Sequence, residues 1–197
     1  MPRTGRTHPE GYAFCDSQEG IFRRGGTVEY KLKPISKNSI AAAISKAELY
    51  RNLNEPGEAE SICRDILAIE PDNQIALRLL GLAITDQFTG GLLDRYGEAE
   101  KIFQNLLDPY ERLYYTGLAH ERRAKRLLRA GRSPFMLRQI LEEGMRCFEE
   151  AEKIRPEGND DAILRWNRCV RLIQSQLGAE QPAEEVESLD ASDSPPI

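Results

Sequence analysis

The chain is poor in the residues that most reaction chemistry and metal binding require. Its 197 residues hold two histidines, His8 and His120, and four cysteines, Cys15, Cys63, Cys147 and Cys169, with no CxxC pair and no nearby histidine. Those spacings suit neither a zinc knuckle nor a dense disulfide frame, and reduced thiols in a cytoplasmic protein fit them best. No HExxH, P-loop, dinucleotide-binding glycine motif or G-x-S-x-G elbow occurs, and Gly25-Gly26 alone is too little for a phosphate loop. No catalytic residue, metal ligand or cofactor site is therefore expected. Residues Met1 to Cys15 lack an apolar stretch of the kind export signals carry, and nowhere do about 18 apolar residues follow one another, so neither export nor a membrane span is expected. An excess of positive charge is missing as well. The 27 Lys and Arg face 32 Asp and Glu, a net charge of -5 with a pI near 5.3. That balance argues against general nucleic-acid binding, which needs a concentrated surplus of cations to neutralise phosphates.

What is present is a 40% hydrophobic content, enough for one modest core flanked by tails. Three zones differ in composition. Residues 1–37 carry seven Lys/Arg against four Asp/Glu, with Gly and Pro and no helical periodicity. Within them Ile21–Lys33 alternates Val28, Tyr30 and Leu32 after the glycine pair, which suits a small hairpin or an extended arm, with disorder or loose docking as the default. Residues 178–197 hold six acidic residues, three prolines and no Lys or Arg, and read as a disordered tail whose second reading is an acidic docking peptide.

Between them, 38–177 reads as helix. Ile40, Ala43, Ile44, Ala47 and Tyr50 recur at steps of three and four, as do Leu77, Leu80, Gly81 and Ile84, and again Leu113, Gly117 and Leu118. Breakers separate the periodic stretches at Asn54–Gly57, Glu70–Asp72, Gly90-Gly91, Asp108-Pro109, Gly131–Pro134 and Arg155–Gly158. The pattern also repeats. Gly57-Glu58-Ala59-Glu60 returns as Gly97-Glu98-Ala99-Glu100, each leading into an apolar helix that ends near a proline, Pro71 or Pro109; Phe148, Ala151, Ile154 and Pro156 close a third. Small residues stand at Ala47, Gly81 and Gly117, 34 and 36 positions apart, where paired helices need room to approach.

These residues resemble the tetratricopeptide repeat family, whose pattern W-x2-L-G-x2-Y, A-x3-F, P spans about 34 residues. Ala47 takes the small-residue place with Tyr50 three later, Ala59 opens the second helix with Cys63 where Phe is usual, and Pro71 ends it. Degenerate repeats of other helix-pair solenoids, the Sel1-like ones among them, share part of this pattern. Departures fall in the later units: the loop around Gln87–Tyr96 is about six residues longer, and the first helix of the third unit runs on to about Ala130. Trp166 occupies a place where a small residue is expected, so Asp161–Leu177 reads as a capping helix. The resemblance implies an all-α solenoid of about three antiparallel helix pairs, at about 38–73, 74–109 and 110–158, with a cap at 159–177.

It also implies a function, an adaptor that grips a peptide or helix of another protein in a concave groove lined by the first helix of each pair. The groove places fall on Ile44, Glu48, Arg51 and Asn52, on Arg78, Leu82, Thr85 and Asp86, and on Tyr114, Leu118, Glu121 and Arg122. Some family members clamp a C-terminal carboxylate with Lys and Asn, but here Ile44 and Glu48 hold those places, which argues against that use. Arg51, Arg78 and Arg122 either meet an acidic ligand or pair internally with Glu48, Asp86 and Glu121. A second reading rests on the basic run Arg122–Arg132, where Arg122, Arg126, Arg129 and Arg132 would bind nucleic acid or another anionic surface. Against it, Glu142, Glu143, Glu149 and Glu150 lie nearby in sequence and read as solvated partners for that face. His120 beside Glu121 lacks a nucleophile and reads as structural. The partner's identity and the oligomeric state are not encoded in these patterns.

Overall fold

The computed structural model of the protein describes residues 21–24, 27–89 and 95–177, with side chains from Tyr30 to Gln176. Residues 1–20 with His8 and Cys15, the Gly25-Gly26 break, positions 90–94 of the long loop and the acidic stretch 178–197 lie outside the described residues. The chain divides into two compact units, Met1–Pro34 and Ile35–Ile197. In the first, β1 (Ile21–Arg24) and β2 (Thr27–Tyr30) run antiparallel, with Ile21 opposite Tyr30 and Arg24 opposite Thr27. The alternating stretch is a hairpin rather than an unpaired arm.

The second unit opens with a 3-10 turn, Lys37–Ser39, and continues through α1 (Ile40–Asn52), α2 (Pro56–Ile69), α3 (Gln74–Asp86), α4 (Tyr96–Gln104), α5 (Pro109–Arg129), α6 (Pro134–Lys153) and α7 (Asp161–Leu172) to a π-turn, Ile173–Leu177. The breakers act as their chemistry requires. Proline sits in the first turn of α2, α5 and α6, where its missing N–H is no loss. Asn73 Oδ1 accepts from the Ala76 amide at 3.0 Å and Asp108 Oδ1 from the Tyr110 amide at 2.8 Å, capping α3 and α5. Gly131 follows α5 at φ 67°, a left-handed turn that a side chain would strain.

Each helix packs on the next, and the odd-numbered helices also pack on one another, α1 on α3, α3 on α5 and α5 on α7. No even-numbered pair does so to a comparable extent among the described residues, so α1, α3, α5 and α7 form one layer and α2, α4 and α6 a second. A single large apolar cluster runs from Ala47 to Leu172 between them.

The small residues have a direct physical cause. A Cβ on Gly81 of α3 would lie 2.3 Å from Phe103 Cε1 of α4, a direct clash. One on Gly117 of α5 would lie 2.8 Å from Phe148 Cε1 of α6, and one on Gly144 would lie 3.1 Å from the Gly117 carbonyl. Both rings are essentially fully buried. Where Cys63 replaces the ring in the first pair, Ala47 replaces the glycine, and both are fully buried in the same cluster. The size of the notch follows the size of the side chain packed in the same pair, as close-packed interiors demand.

Candidate functional site

The layer of odd-numbered helices is tied together by charge. Arg51 of α1 donates from Nε to Asp86 Oδ2 at 2.9 Å, and Arg122 of α5 pairs with Asp86 Oδ1 from the other side. Arg122 Nη1 also reaches Thr85 Oγ1 at 2.5 Å and the Leu82 carbonyl at 3.3 Å, and Arg126 Nη2 reaches the Asp86 carbonyl at 3.4 Å. The last turn of α3 leaves the Asp86 carbonyl without a helical partner, and Arg126 meets it at the negative end of the helix. Burial lowers the Arg122 guanidinium below its usual value against the pull of Asp86, with Arg51 and Arg165 adding repulsion.

Beside this junction Glu121 is fully buried. Its Oε1 is bound by Lys125, while Oε2 makes no hydrogen bond and faces Arg165 Nη1 at 3.6 Å. Arg78, about two turns earlier on α3, pairs with Glu111 at 2.6 Å. An open pocket of about 200 Å³ lies at the junction, lined by Thr85, Asp86, Arg122, Lys125, Arg126 and Arg129. Four cations share that lining with one carboxylate.

The structure therefore brings Arg51, Thr85, Asp86 and Arg122 together, and adds Lys125, Arg126 and Arg129. Arg132 is exposed and is not part of the lining. Four expected wall residues, Leu82, Thr85, Leu118 and Glu121, are buried. The reason is that α3 and α5 are covered on several sides by neighbouring helices, which buries these four side chains. Glu48 and Asn52 are exposed, while Ile44, Arg51, Arg78, Asp86, Tyr114 and Arg122 are half-buried. Of the glutamates expected to offset the basic run, Glu143 Oε2 lies 3.4 Å from His120 Nδ1 and Glu150 pairs with Lys153. Within the run itself Arg122 pairs with Asp86 and Lys125 with Glu121.

Two polar clusters on the even-numbered side escape a local reading of the sequence. Glu60 is almost wholly buried and accepts Arg95 at 2.7 and 2.8 Å, with Arg64 at 2.6 Å; Arg95 and Arg64 also hold Glu98. The Arg95 fork keeps the Glu60 carboxyl below its ordinary value against desolvation. In the second, the buried His120 ring lies 2.7 Å from the Tyr96 hydroxyl, which donates to Glu100 at 3.1 Å. Arg123 stacks over the Tyr96 ring, 4.7 Å from its centroid. Burial lowers the His120 pKa, opposed by Glu143 and Glu100. The repeated Gly-Glu-Ala-Glu motif was the available signal, because its fourth residue is Glu60 in one copy and Glu100 in the other.

Among the described residues no group of three or more His, Cys, Asp or Glu side chains converges to hold a metal ion. No helix among them is long and apolar enough to cross a membrane. Burial pushes the Cys63 and Cys169 thiols up to about 12.

Comparison with known proteins returns no match, neither to a family model nor among curated sequences.

Proposed function

We propose that this protein is a tetratricopeptide-like adaptor: a short α-solenoid of three helix pairs with α7 as its cap, whose odd-numbered layer receives a peptide or helix of another protein. One observation carries the reading. The first helices of successive pairs form a continuous surface, joined from α1 to α3 to α5 by Arg51, Asp86 and Arg122, and that surface opens a polar pocket at its centre. Helices packed at the odd positions and held farther apart at the even ones make a stack whose odd face is the inner one, and such faces are the extended binding surfaces of solenoids. Half-buried and exposed side chains of mixed type line it, Ile44, Glu48, Asn52 and Arg78 among them, a composition suited to a transient protein partner. The role is non-catalytic. The free thiols of Cys63, Cys147 and Cys169 support a cytoplasmic site of action.

A photo-crosslinking residue placed at Glu48 or Asn52 on α1, and in separate variants at Lys101 on α4 or Glu149 on α6, tests this in native lysate. All four positions are exposed. A discrete adduct from the α1 positions and none from α4 or α6 is expected. Adducts confined to the α4 and α6 positions, or indifferent to position, overturn the reading.

A further inference from the structure

We propose that the pocket between the end of α3 and the second half of α5 is a receptor for an oxyanion group, carboxylate or phosphate, on an acidic segment of the partner protein. The proposal rests on the odd-numbered layer being the partner-binding wall and assigns the chemistry of what sits at its centre.

Charge is the first argument. Arg51, Arg122, Lys125, Arg126 and Arg129 are five cations, and the carboxylates engaged with them are Asp86 and Glu121. Arg165 adds a sixth cation on the far side of Glu121, 3.6 Å away. The surplus is concentrated around one pocket in a chain whose overall charge is -5. Such a surplus is unfavourable in the empty protein and is relieved by an anion.

Donor count is the second. A guanidinium presents five N–H groups. Arg122 spends Nη1 alone on Asp86, Thr85 and the Leu82 carbonyl, Arg126 makes one long bond to the Asp86 carbonyl, and Arg129 makes no hydrogen bond or ion pair among the described residues. The bonds that exist fix Arg122 and Arg126 to the end of α3 and leave the rest of each fork for a ligand. A cation held in place before binding loses less side-chain entropy when the anion arrives.

Shape selects the class. The cations converge on one space of about 200 Å³, room for one or two oxyanions rather than a backbone. A nucleic-acid strand would need cations in a track at phosphate spacing. Here Arg132 leaves the cluster, and along the same layer Glu48 stands exposed on α1 and Glu111 on α5 is already engaged by Arg78. An acidic side chain flanked by neutral or basic residues fits that arrangement; a polyphosphate does not.

The test uses the full chain and a fluorescein-labelled hexapeptide of Glu and Ser, its phosphoserine form, and a single-stranded RNA of equal charge, read by anisotropy at low and physiological salt. The variants are Arg126→Gln with Arg129→Gln, and Arg168→Gln with Arg171→Gln on exposed positions of α7, which removes the same charge elsewhere. Binding of one or both peptides, weakened about tenfold or more by the α5 pair and less than about twofold by the α7 pair, is expected. A preference for the phosphorylated peptide assigns the oxyanion as phosphate, and equal binding assigns it as carboxylate. No binding of either peptide, equal weakening by both pairs, or tighter binding of the RNA overturns the proposal. If the crosslinks from α1 persist while the α5 pair changes nothing, the wall stands and the pocket falls. The reverse pattern removes the wall and keeps an anion pocket.

Discussion

Two charge networks in this protein are built from the same side chains and differ in one respect. On the even-numbered side Glu60 and Glu98 face Arg95 and Arg64, two acids against two bases, each engaged with both opposites. On the odd-numbered side Asp86 and Glu121 face at least five cations. The first network is closed: its charges cancel, Glu60 is desolvated, and its work is to hold α2, α4 and the chain leading into α4 together. The second is open, because two carboxylates cannot satisfy all the donors around them. A balanced network is explained by the fold it stabilises; an unbalanced one leaves capacity that the fold does not use.

The largest expected effect comes from taking out the acid that anchors the open network. Asp86→Ala strands Arg122 against α3 and releases Arg51, and should cost about 2–4 kcal/mol in urea unfolding, since removing one partner leaves a half-buried charge uncompensated. A loss below about 0.5 kcal/mol would mean that Thr85 and the α3 carbonyls suffice to hold Arg122. In the closed network, Glu60→Gln should cost about 1–2 kcal/mol. It should also change the acid limb of the stability curve. The folded Glu60 carboxyl titrates below the ordinary 4.5, so the unfolded chain binds the proton first, and the stabilisation is present above that pH and lost as pH falls through the lowered value. The variant should show a shallower decline between about pH 5 and pH 3; an unchanged slope would break the contrast.

His120 supplies a smaller effect of the same sign. Its folded pKa lies below 6.5 because burial disfavours the imidazolium. Above 6.5 both states are neutral; as pH falls from there to the lowered value only the unfolded chain gains a proton, and stability drops. His120→Gln should remove that decline, seen as parallel denaturation midpoints at pH 7.5 and 5.5, by less than about 1 kcal/mol. Smallest of all, Arg126→Gln with Arg129→Gln should leave stability within about 0.5 kcal/mol, because neither residue completes a close ion pair. That contrast with Asp86→Ala separates the acid that supports the fold from the cations that do not.

Helix positions were legible in the sequence because they depend on local chemistry. Proline at the first turn and asparagine or aspartate before it are signals carried by a few adjacent residues. The small residues Ala47, Gly81 and Gly117 were legible for a different reason, since their spacing repeats. The charge partners were not. Arg51 meets Asp86 across 35 positions and Arg122 meets it across 36, so no window along the chain contains both ends. Composition offers Asp86 as an internal partner, yet the carboxylate that holds Arg78 is Glu111, and His120 turns to Tyr96 and Glu143 rather than to its neighbour Glu121. Glu121 itself reads as a polar wall residue by its type and is fully buried. Its place is set by Lys125 one turn away and by Arg165 on a helix two elements later.

The pairing of Gly81 with Phe103 and of Gly117 with Phe148 has a bearing on how such a chain can change. Both halves of each lock lie within one hairpin, so a whole hairpin can be copied, lost or exchanged without disturbing the fit inside it. Trading a lone helix between hairpins would set Ala47 against a phenyl ring or leave a hollow beside Cys63. Descent by duplication of complete hairpins is the route this architecture leaves open.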